Sequence, residues 1–225
     1  MSGTLALVGG GEWTDGCTFD RELLAIAGSG EVVIVPAGAA FENPSAVVER
    51  ARSWFARLGA TVVEVPVLTR SDGLVEEHVT RVREARFIYL PGSSPMHLRS
   101  VLKDSPLYDA MVDAWREGAV LAGSGAGADV LCDPMVDTRG GAFTVGLGLV
   151  PGLAVIPRCN QWSHEKIHRT VELAPRGVAL VGVPEATALI RDPDGSWRVS
   201  GVGDCLVYRD GRPADLSALP ALPRL

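Results

Sequence analysis

Short apolar runs alternate with amphipathic stretches along the first 130 residues. The apolar runs are too short for helices and predict strands at 5–8, 32–36, 61–65, 87–90 and from Val120 onward. Between them, apolar residues recur at helical spacing and predict helices over 20–27, 45–58, 74–85, 96–102 and 106–117. Nearly continuous apolar strands separated by helices indicate an α/β protein whose parallel sheet is covered on both faces.

The pattern changes after Pro134. Glycine and proline separate short apolar segments over 140–157, a polar helix is predicted over 163–173, and strands are predicted at 187–190, 197–200 and 205–208. The Asp-Gly turn within 192–195 lies between alternating runs, which predicts a hairpin. We therefore expect antiparallel strands at one edge of a mostly parallel sheet, and a proline- and leucine-rich tail from about Pro213. No repeat interrupts the chain, so one domain over 1–225 is expected.

Composition narrows the classes of partner. The chain is 47% hydrophobic and 21% charged and carries a formal net charge of -6, which disfavours nucleic acid and anionic membranes. No apolar run approaches the roughly 18 residues of a membrane span, and the first residues lack the features of a signal peptide. The four cysteines are scattered without a C-x-x-C pair, so free thiols and a cytoplasmic location are expected.

The segment that follows the fifth strand carries the candidate chemistry. It runs from an apolar strand through a glycine-rich turn into a helix, as in the nucleophile elbow G-x-S-x-G, where a serine occupies the middle of a strained turn. Gly123 and Gly127 match the outer glycines of that pattern, and Gly125 stands where the serine belongs. The pattern predicts an elbow without its nucleophile.

Several further segments accompany the elbow in a fixed order: Gly-Gly-Gly-Glu at 9–12, Gly-Ser-Ser-Pro at 92–95, Gly-Leu-Gly-Leu at 146–149 with Val-Ile-Pro at 155–157, and Gly-Val-Pro-Glu-Ala-Thr-Ala-Leu at 182–189. Together they resemble the cyanophycinase and aspartyl dipeptidase (dipeptidase E) family of serine peptidases. The resemblance implies a flavodoxin-like sandwich of the class I glutamine amidotransferase type. It also implies acyl transfer by a serine, a histidine and an acid, and it makes a homodimer an expectation at the level of the family.

The family's catalytic residues fall on altered positions in this chain. The serine falls on Gly125, and the histidine that follows the Gly-Leu-Gly-Leu strand falls on Arg158. An arginine stays protonated and cannot act as a general base near neutral pH. The acid falls on Glu185, with Asp133 and Asp137 as weaker candidates. Two losses at separate positions favour a natural departure from catalysis.

The groups that would stabilise an oxyanion are backbone N–H groups of the turn at Gly92 and Ser93 and of the elbow residues Ser124 and Ala126. A donor of the Gly92 turn is expected to survive. Ser124 also carries the hydroxyl nearest to the vacant position, but an offset of one residue around the turn is expected to aim it elsewhere.

The principal expectation is a non-hydrolytic homologue that uses the old pocket for a ligand. The charge of Arg158 favours a carboxylate, as in an acidic peptide or an amino-acid-like molecule. One alternative is an active peptidase, amidase or acyl transferase, either with Cys159 as nucleophile, its thiolate favoured by Arg158, or as an engineered serine-to-glycine knockout at Gly125. Another is a partner-binding protein with a vestigial pocket.

Two patterns suggest cofactors, and neither is favoured. His164, Glu165 and His168 match H-E-x-x-H, but a zinc protease needs a third ligand and a long apolar helix in a different fold. The glycines at 9–11 lack the spacing of a dinucleotide-binding loop. We therefore expect neither a metal nor another cofactor.

The tryptophans and one phenylalanine divide into two groups. Trp13, Phe41 and Trp162 are predicted to lie in loops around the carboxyl edge of the sheet, where ligands of open α/β sheets bind. Trp54 and Trp115 lie within helical patterns and are predicted to be core residues.

Overall fold

A computed structural model describes residues 2–221. Its first half contains the strands β1 (Leu5–Val8), β2 (Glu31–Ile34), β3 (Thr61–Glu64), β4 (Phe87–Leu90) and β5 (Val120–Ser124). The helices of this half are α1 (Phe19–Ala27), α2 (Pro44–Arg57), α3 (Glu76–Arg83), α4 (Pro95–Leu102), α5 (Pro106–Arg116) and α6 (Ala126–Val130).

Five parallel strands form the centre of the main sheet, in the order β1, β5, β4, β2, β3. Helices α1 and α2 cover one face with buried side chains that include Phe19, Leu23, Val48 and Phe55. Helices α3 to α6 contribute to the core on the other face with Val79, Leu98, Leu107, Met111 and Ala128. The predicted parallel sheet is confirmed, and its strands end at a common edge where Gly125 follows β5.

The second half contains the strands β6 (Cys132–Asp133), β7 (Met135–Asp137), β8 (Ala142–Thr144), β9 (Val150–Pro151), β10 (Leu153–Pro157), β11 (Ala179–Val183), β12 (Thr187–Arg191), β13 (Trp197–Gly201), β14 (Leu206–Arg209) and β15 (Arg212–Ala214), and the helix α7 (His164–Leu173). The antiparallel strands β12 and β13 extend the main sheet beside β1, and the predicted hairpin joins them. The remaining strands form a second sheet, β15-β14-β11-β10-β6-β9, and the pair β7-β8.

Three details differ from the sequence prediction. The second sheet contains β11, a fully buried strand that the sequence reading missed because its apolar residues run directly into the segment at 182–189. Pro213 lies within β15, which pairs with β14, so the predicted tail does not begin there. Proline is tolerated in β15 because it is an edge strand. The helix predicted over 74–85 begins only at Glu76, since Val75 has an extended backbone with ψ at 120°.

The predictions for the tryptophan residues have different outcomes. Trp54 and Trp115 are buried, as predicted. Trp13 lies in the loop between β1 and α1, as predicted, but its side chain is buried in the core instead of facing a ligand at the sheet edge. The ring of Trp13 lies 5.4 Å from that of Tyr89 and 6.5 Å from that of Phe55, because its loop folds back over the face covered by α1 and α2.

The four cysteines are free thiols, as predicted. Within residues 2–221, none of the helices combines the length and the apolar character needed to cross a membrane.

Glycine permits the close approach of strand β5 and helix α6. A Cβ atom added to Gly123 would overlap the backbone of Gly127, and one added to Gly127 would overlap the carbonyl oxygen of Leu90. Backbone atoms cannot move aside as a flexible side chain can. The glycines that frame the elbow are therefore required by packing, whether or not the elbow carries a nucleophile.

We predict that Gly123→Ala lowers the free energy of unfolding by about 1–3 kcal/mol, because the added methyl group meets backbone. Urea denaturation measures this loss. Gly140→Ala is the matched control, since among the described residues no atom lies within 4 Å of its added carbon. Equal stability of the two variants would contradict the packing argument.

One carboxyl group is buried in the core beside α2. The indole Nε1 of Trp54 donates a hydrogen bond of 2.9 Å to Oδ2 of Asp20. The pKa of Asp20 is raised to about 8, chiefly by burial and in smaller part by the charge of Glu12, while the hydrogen bond from Trp54 opposes both. Asp20 therefore holds a proton at neutral pH in the folded protein, and an unfolded chain releases it.

We predict that, because of this proton, the free energy of unfolding falls as the pH rises. Between the ordinary pKa of 3.8 and about 8, the folded state binds more protons than the unfolded state, so the free energy of unfolding falls across that window. Asp20→Asn retains the acceptor for Trp54 without the titration. Its free energy of unfolding relative to the unmodified protein should rise from about pH 5 to about pH 8. A constant difference would contradict the assignment, and the exposed Asp113→Asn is the control.

Candidate functional site

The backbone at Gly125 has the sharp turn of a nucleophile elbow. Its φ of 57° and ψ of -108° form a conformation that side-chain-bearing residues rarely adopt. The turn is fixed on both sides, because the Gly125 N–H donates to the carbonyl oxygen of Val8 at 3.0 Å and the Gly125 carbonyl accepts from the N–H of Asp129 at 3.2 Å. The elbow thus keeps its geometry without a side chain.

A cavity of about 310 Å³ lies beside this turn. Gly125 and Arg158, which the sequence analysis aligned with the family's serine and histidine, both line it. Its other lining residues are Gly92, Ser93, Pro95, Ala126, Asp129, Thr138, Pro157, Gln161, Trp162 and Lys166.

Two of the four backbone donors expected for an oxyanion hole, those of Ala126 and Ser93, are already paired. The N–H of Ala126 donates to the carbonyl oxygen of Gly92 at 2.8 Å, and the N–H of Ser93 donates to Oε1 of Glu42 at 2.8 Å. The Gly92 loop is pressed against Gly38, whose backbone would overlap any Cβ atom at Gly92. The expectation of a surviving donor is therefore wrong for Ser93, whose N–H is bound to a carboxylate.

The Gly92 carbonyl also occupies the space next to the missing side chain. A Cβ atom added to Gly125 would lie 2.8 Å from that oxygen, closer than real Cβ atoms approach other atoms. A serine at this position would require the Gly92 peptide to move.

The hydroxyl of Ser124 faces away from the cavity. Successive residues of a strand point to opposite faces, and Ser124 shares the face of Ala122, which packs in the core under α1 and α2. Ser124 is fully buried, and its Oγ donates to Oε2 of Glu12 at 2.8 Å. The prediction that its hydroxyl points elsewhere agrees with this geometry, and its side chain does not belong to the ligand site.

Arg158 and Glu185, the residues at the base and acid positions, face each other. The Nε of Arg158 lies 3.7 Å from Oε1 of Glu185, with both side chains partly exposed. Asn160 and Gln161 donate side-chain hydrogen bonds to the other oxygen of Glu185, at 3.2 and 2.8 Å. The backbone of Arg158 adopts a left-handed conformation with φ at 52°, and its backbone N–H donates a hydrogen bond of 2.7 Å to the carbonyl oxygen of Gly9. The guanidinium of Arg158 thus lies beside the carboxylate of Glu185.

Cys159, the alternative nucleophile, lies outside the described lining of the cavity beside Gly125. Its thiol is buried against Gly182 in the second sheet, and the described residues that line the cavity do not include it. Burial raises the pKa of Cys159 to about 11, so the thiolate expected from the neighbouring Arg158 is not favoured. The thiolate is disfavoured because the side chain of Cys159 points into the core.

Lys166 is a cavity residue that the sequence reading missed. Its Nζ lies 3.7 Å from the centre of the Trp162 ring and donates to the carbonyl oxygen of Thr138 at 2.5 Å. Desolvation lowers the pKa of Lys166, and the charge of Asp137 partly opposes this. The predicted placement of Trp162 at the sheet edge agrees with this contact, which holds the ammonium group over an aromatic face.

Asp129 is the second residue that the sequence reading missed. It is fully buried one helical turn after Gly125, and its Oδ1 accepts a hydrogen bond of 2.8 Å from the N–H of Val136. Among residues 2–221 its Oδ2 has no hydrogen-bond partner. Burial raises the pKa of Asp129 well above its usual range, and Asp137 adds to the shift while the Val136 N–H opposes it. The spacing of four residues from Gly125 was the available signal.

The weaker acid candidates have other partners. Oδ1 of Asp133 accepts from the N–H of Gly146 at 3.0 Å, and Asp137 pairs with the guanidinium of Arg139 at 2.7 Å. Phe41 is exposed and its ring lies 4.7 Å from that of His97. Neither acid takes a position beside Gly125 that would let it replace Glu185.

The H-E-x-x-H segment forms the start of α7. His164 and His168 are exposed, and Nδ1 of His168 lies 3.6 Å from Oε2 of Glu172. Over the described part of the chain, no three His, Cys, Asp or Glu side chains are grouped closely enough to hold a metal ion.

Comparison with known proteins identifies the family. A family model described as peptidase family S51 matches residues 5–196. Cyanophycinases of Synechococcus elongatus and Thermosynechococcus vestitus are each 25% identical, over 85% of this chain and 62% of theirs. The chain therefore spans about three fifths of the length of these curated relatives.

Solved structures agree with the fold. A peptidase from an acI-B1 Actinobacterium is 28% identical with a TM-score of 0.84, over 95% of this chain and 93% of that one. A putative peptidase E protein from Listeria monocytogenes EGD-e matches 90% of this chain and 100% of its own, with a TM-score of 0.68 and 16% identity, and shows the fold alone. The predicted flavodoxin-like sandwich is confirmed. Since the family model matches most of the chain, the protein belongs to peptidase family S51, the cyanophycinase and dipeptidase E family.

Proposed function

We propose that this chain is a catalytically degenerate member of its family that binds an acidic peptide or amino-acid-like ligand in the cavity beside Gly125. The observation that carries the proposal is that Gly125 and Arg158 line one cavity, so both changes fall on the same site. A glycine supplies no nucleophile, and a guanidinium cannot accept a proton near neutral pH. The expectations of a single domain over 1–225, a cytoplasmic location and a homodimer stay predictions from the sequence.

The backbone of the elbow supports the absence of serine-type hydrolysis. In elbow hydrolases the N–H of the residue after the nucleophile stabilises the oxyanion. Here that residue is Ala126, and its N–H is bound to the Gly92 carbonyl at 2.8 Å. Hydrolysis would need this bond to break as well as a nucleophile and a base, so a single substitution does not account for the whole departure.

The charges around the cavity support an anionic ligand. Arg158 and Lys166 both line it, in a protein whose formal net charge is -6. Glu185 offsets part of the charge of Arg158 at 3.7 Å, whereas Lys166 is held by a carbonyl oxygen and an aromatic ring. Charge-assisted hydrogen bonds from such groups to carboxylates are stronger than neutral ones.

A neighbouring groove supports a peptide. A second cavity of about 300 Å³ adjoins the first and shares the lining residues Ser93, Pro95 and Thr138 with it. Its walls also contain the exposed side chain of Met96, which offers apolar surface to a second residue. The similarity to proteins named cyanophycinase and peptidase is consistent with a peptide ligand.

We predict that the dipeptide Asp-Leu binds this protein and that Arg158→Ala and Lys166→Ala each weaken binding on the order of tenfold, equivalent to about 1.4 kcal/mol. Each substitution removes one cation from the cavity that holds the carboxylate. Isothermal titration calorimetry of Asp-Leu measures both effects.

The control for these variants is Arg57→Ala. Arg57 is exposed and also pairs with an acid, Asp15, but lies outside the cavity. Its substitution should leave the affinity unchanged. Absence of Asp-Leu binding by the unmodified protein, or equal affinities for Arg158→Ala and the unmodified protein, would refute the ligand proposal.

We predict further that Gly125→Ser does not restore peptidase activity, alone or together with Arg158→His. The new side chain meets the Gly92 carbonyl, and the Ala126 N–H stays bound to that oxygen. Release of leucine from Asp-Leu, followed by mass spectrometry, measures turnover. Efficient hydrolysis by Gly125→Ser alone would instead identify the chain as a knockout of an intact peptidase.

A further inference from the structure

One peptide group, that between Gly92 and Ser93, is hydrogen-bonded at both ends. Its carbonyl oxygen accepts the N–H of Ala126 at 2.8 Å, and its N–H donates to Oε1 of Glu42 at 2.8 Å. The hydroxyl of Ser93 donates to the same carboxylate oxygen. In a planar trans peptide the C=O and the N–H point in opposite directions. These contacts therefore define a closed orientation, in which the oxygen faces the elbow and the N–H faces away from it.

Two neighbouring loops bring Glu42 to this peptide. Strands β2 and β4 are adjacent and parallel, so the loops that follow them meet at the carboxyl edge of the sheet. Gly38 in the first loop forms a bridge with Gly92 in the second, and its carbonyl oxygen accepts the N–H of Ser94 at 3.1 Å. Glu42 ends the first loop, one residue before Asn43, the N-cap of α2. The start of α2 thus holds the backbone of Glu42 beside the N–H end of the peptide.

The charge of Glu42 favours the closed orientation in two ways. A carboxylate that accepts an N–H forms a charge-assisted hydrogen bond, which is stronger than a neutral one. If the peptide turned over, the carbonyl oxygen of Gly92 would face the carboxylate instead, and two negatively polarised groups repel each other. Removal of this one side chain therefore removes both the attraction and the repulsion.

The side chain of Ser93 restricts the peptide as well. Turning the peptide over rotates ψ of Gly92 and φ of Ser93 by about half a turn each, while the flanking Cα atoms stay in place. Gly92 has a φ of 127° and, as a glycine, adopts either sign of φ readily. Ser93 is not among the described residues with a positive φ, and the rotation would bring it into that region, which residues with a Cβ atom rarely adopt.

We propose that Glu42 and Ser93 form a lock that keeps the Gly92–Ser93 peptide closed, and that the opposite, open orientation is a binding site for a carboxylate oxygen. In the open orientation the N–H of Ser93 faces the elbow and that of Ala126 is free. Two N–H groups directed at the same space beside Gly125 are the arrangement that stabilises an oxyanion. This inference goes beyond the proposed function, because it does not depend on which ligand the cavity holds.

The double variant Glu42→Ala with Ser93→Gly releases both parts of the lock. In isotope-labelled protein, the NMR coupling across the hydrogen bond between the amide nitrogen of Ala126 and the carbonyl carbon of Gly92 reports the closed orientation directly. We expect this coupling in the unmodified protein and its loss in the double variant. In Glu42→Ala alone, the amide hydrogen of Ala126 should exchange with solvent on the order of tenfold faster than in the unmodified protein.

The matched control is Glu49→Ala with Ser93→Gly. Glu49 is an exposed acid of α2 that pairs with Arg52, so this variant has the same change in charge and the same new glycine but keeps Glu42. Its coupling should persist. Urea denaturation identifies any variant that fails to fold. If the double variant does, Glu42→Gln carries the test by itself, since it removes the charge at nearly constant size and should also accelerate exchange of the Ala126 amide.

Acetate is the probe for the open site, because it is a carboxylate without other groups. The amide signals of Ser93 and Ala126 should respond to acetate at concentrations on the order of tenfold lower in the double variant than in the control variant. Equal concentrations would refute the carboxylate site. A coupling that persists in the double variant, or is absent from the unmodified protein, would refute the lock. Asp-Leu enters none of these measurements, so the failure of Asp-Leu to bind would refute the proposed function and leave this inference standing.

Discussion

The hydrogen bond between the Ala126 N–H and the Gly92 carbonyl oxygen determines what the elbow can do. It closes the space beside Gly125 and removes the N–H that an elbow hydrolase directs at its oxyanion. Two glycine contacts hold it in place: Gly92 lies against the backbone of Gly38, and Gly123 lies against that of Gly127. In the proposed function, this closed elbow is one reason why the chain does not hydrolyse peptides.

The side chains of the site follow from this closed elbow. Arg158 faces Glu185 at 3.7 Å. Under the proposed function no proton is transferred, so a permanent cation can stand at the position predicted for the base. An exposed pair of this kind contributes about 0–1 kcal/mol, so stability does not explain it. Its effect is on the cavity, where Arg158 and Lys166 provide positive charge and Asp129 provides a buried carboxyl group. The proposed function assigns these charges to binding of an acidic ligand.

The fold and the sharp turn at Gly125 could be predicted from the sequence because they depend on local patterns. Apolar runs separated by amphipathic helices identify the parallel sheet, and the glycines at 123 and 127 place Gly125 in the turn. The closure of the oxyanion hole could not be predicted, since it depends on how the peptide at Gly92 is oriented by Gly38, a distant residue. Lys166 was missed because a polar helix pattern does not show which side chain turns toward a cavity.

Equilibrium dialysis of isotope-labelled Asp-Leu against the unmodified protein, followed by mass spectrometry of the peptide on both sides of the membrane, tests binding and hydrolysis together. The account predicts that the peptide accumulates on the side of the protein and is recovered intact, because Arg158 and Lys166 line the cavity, Gly125 has no side chain to act as nucleophile, and the N–H of Ala126 is bound to the Gly92 carbonyl. Free aspartate and leucine, or equal concentrations of peptide on the two sides, would contradict it.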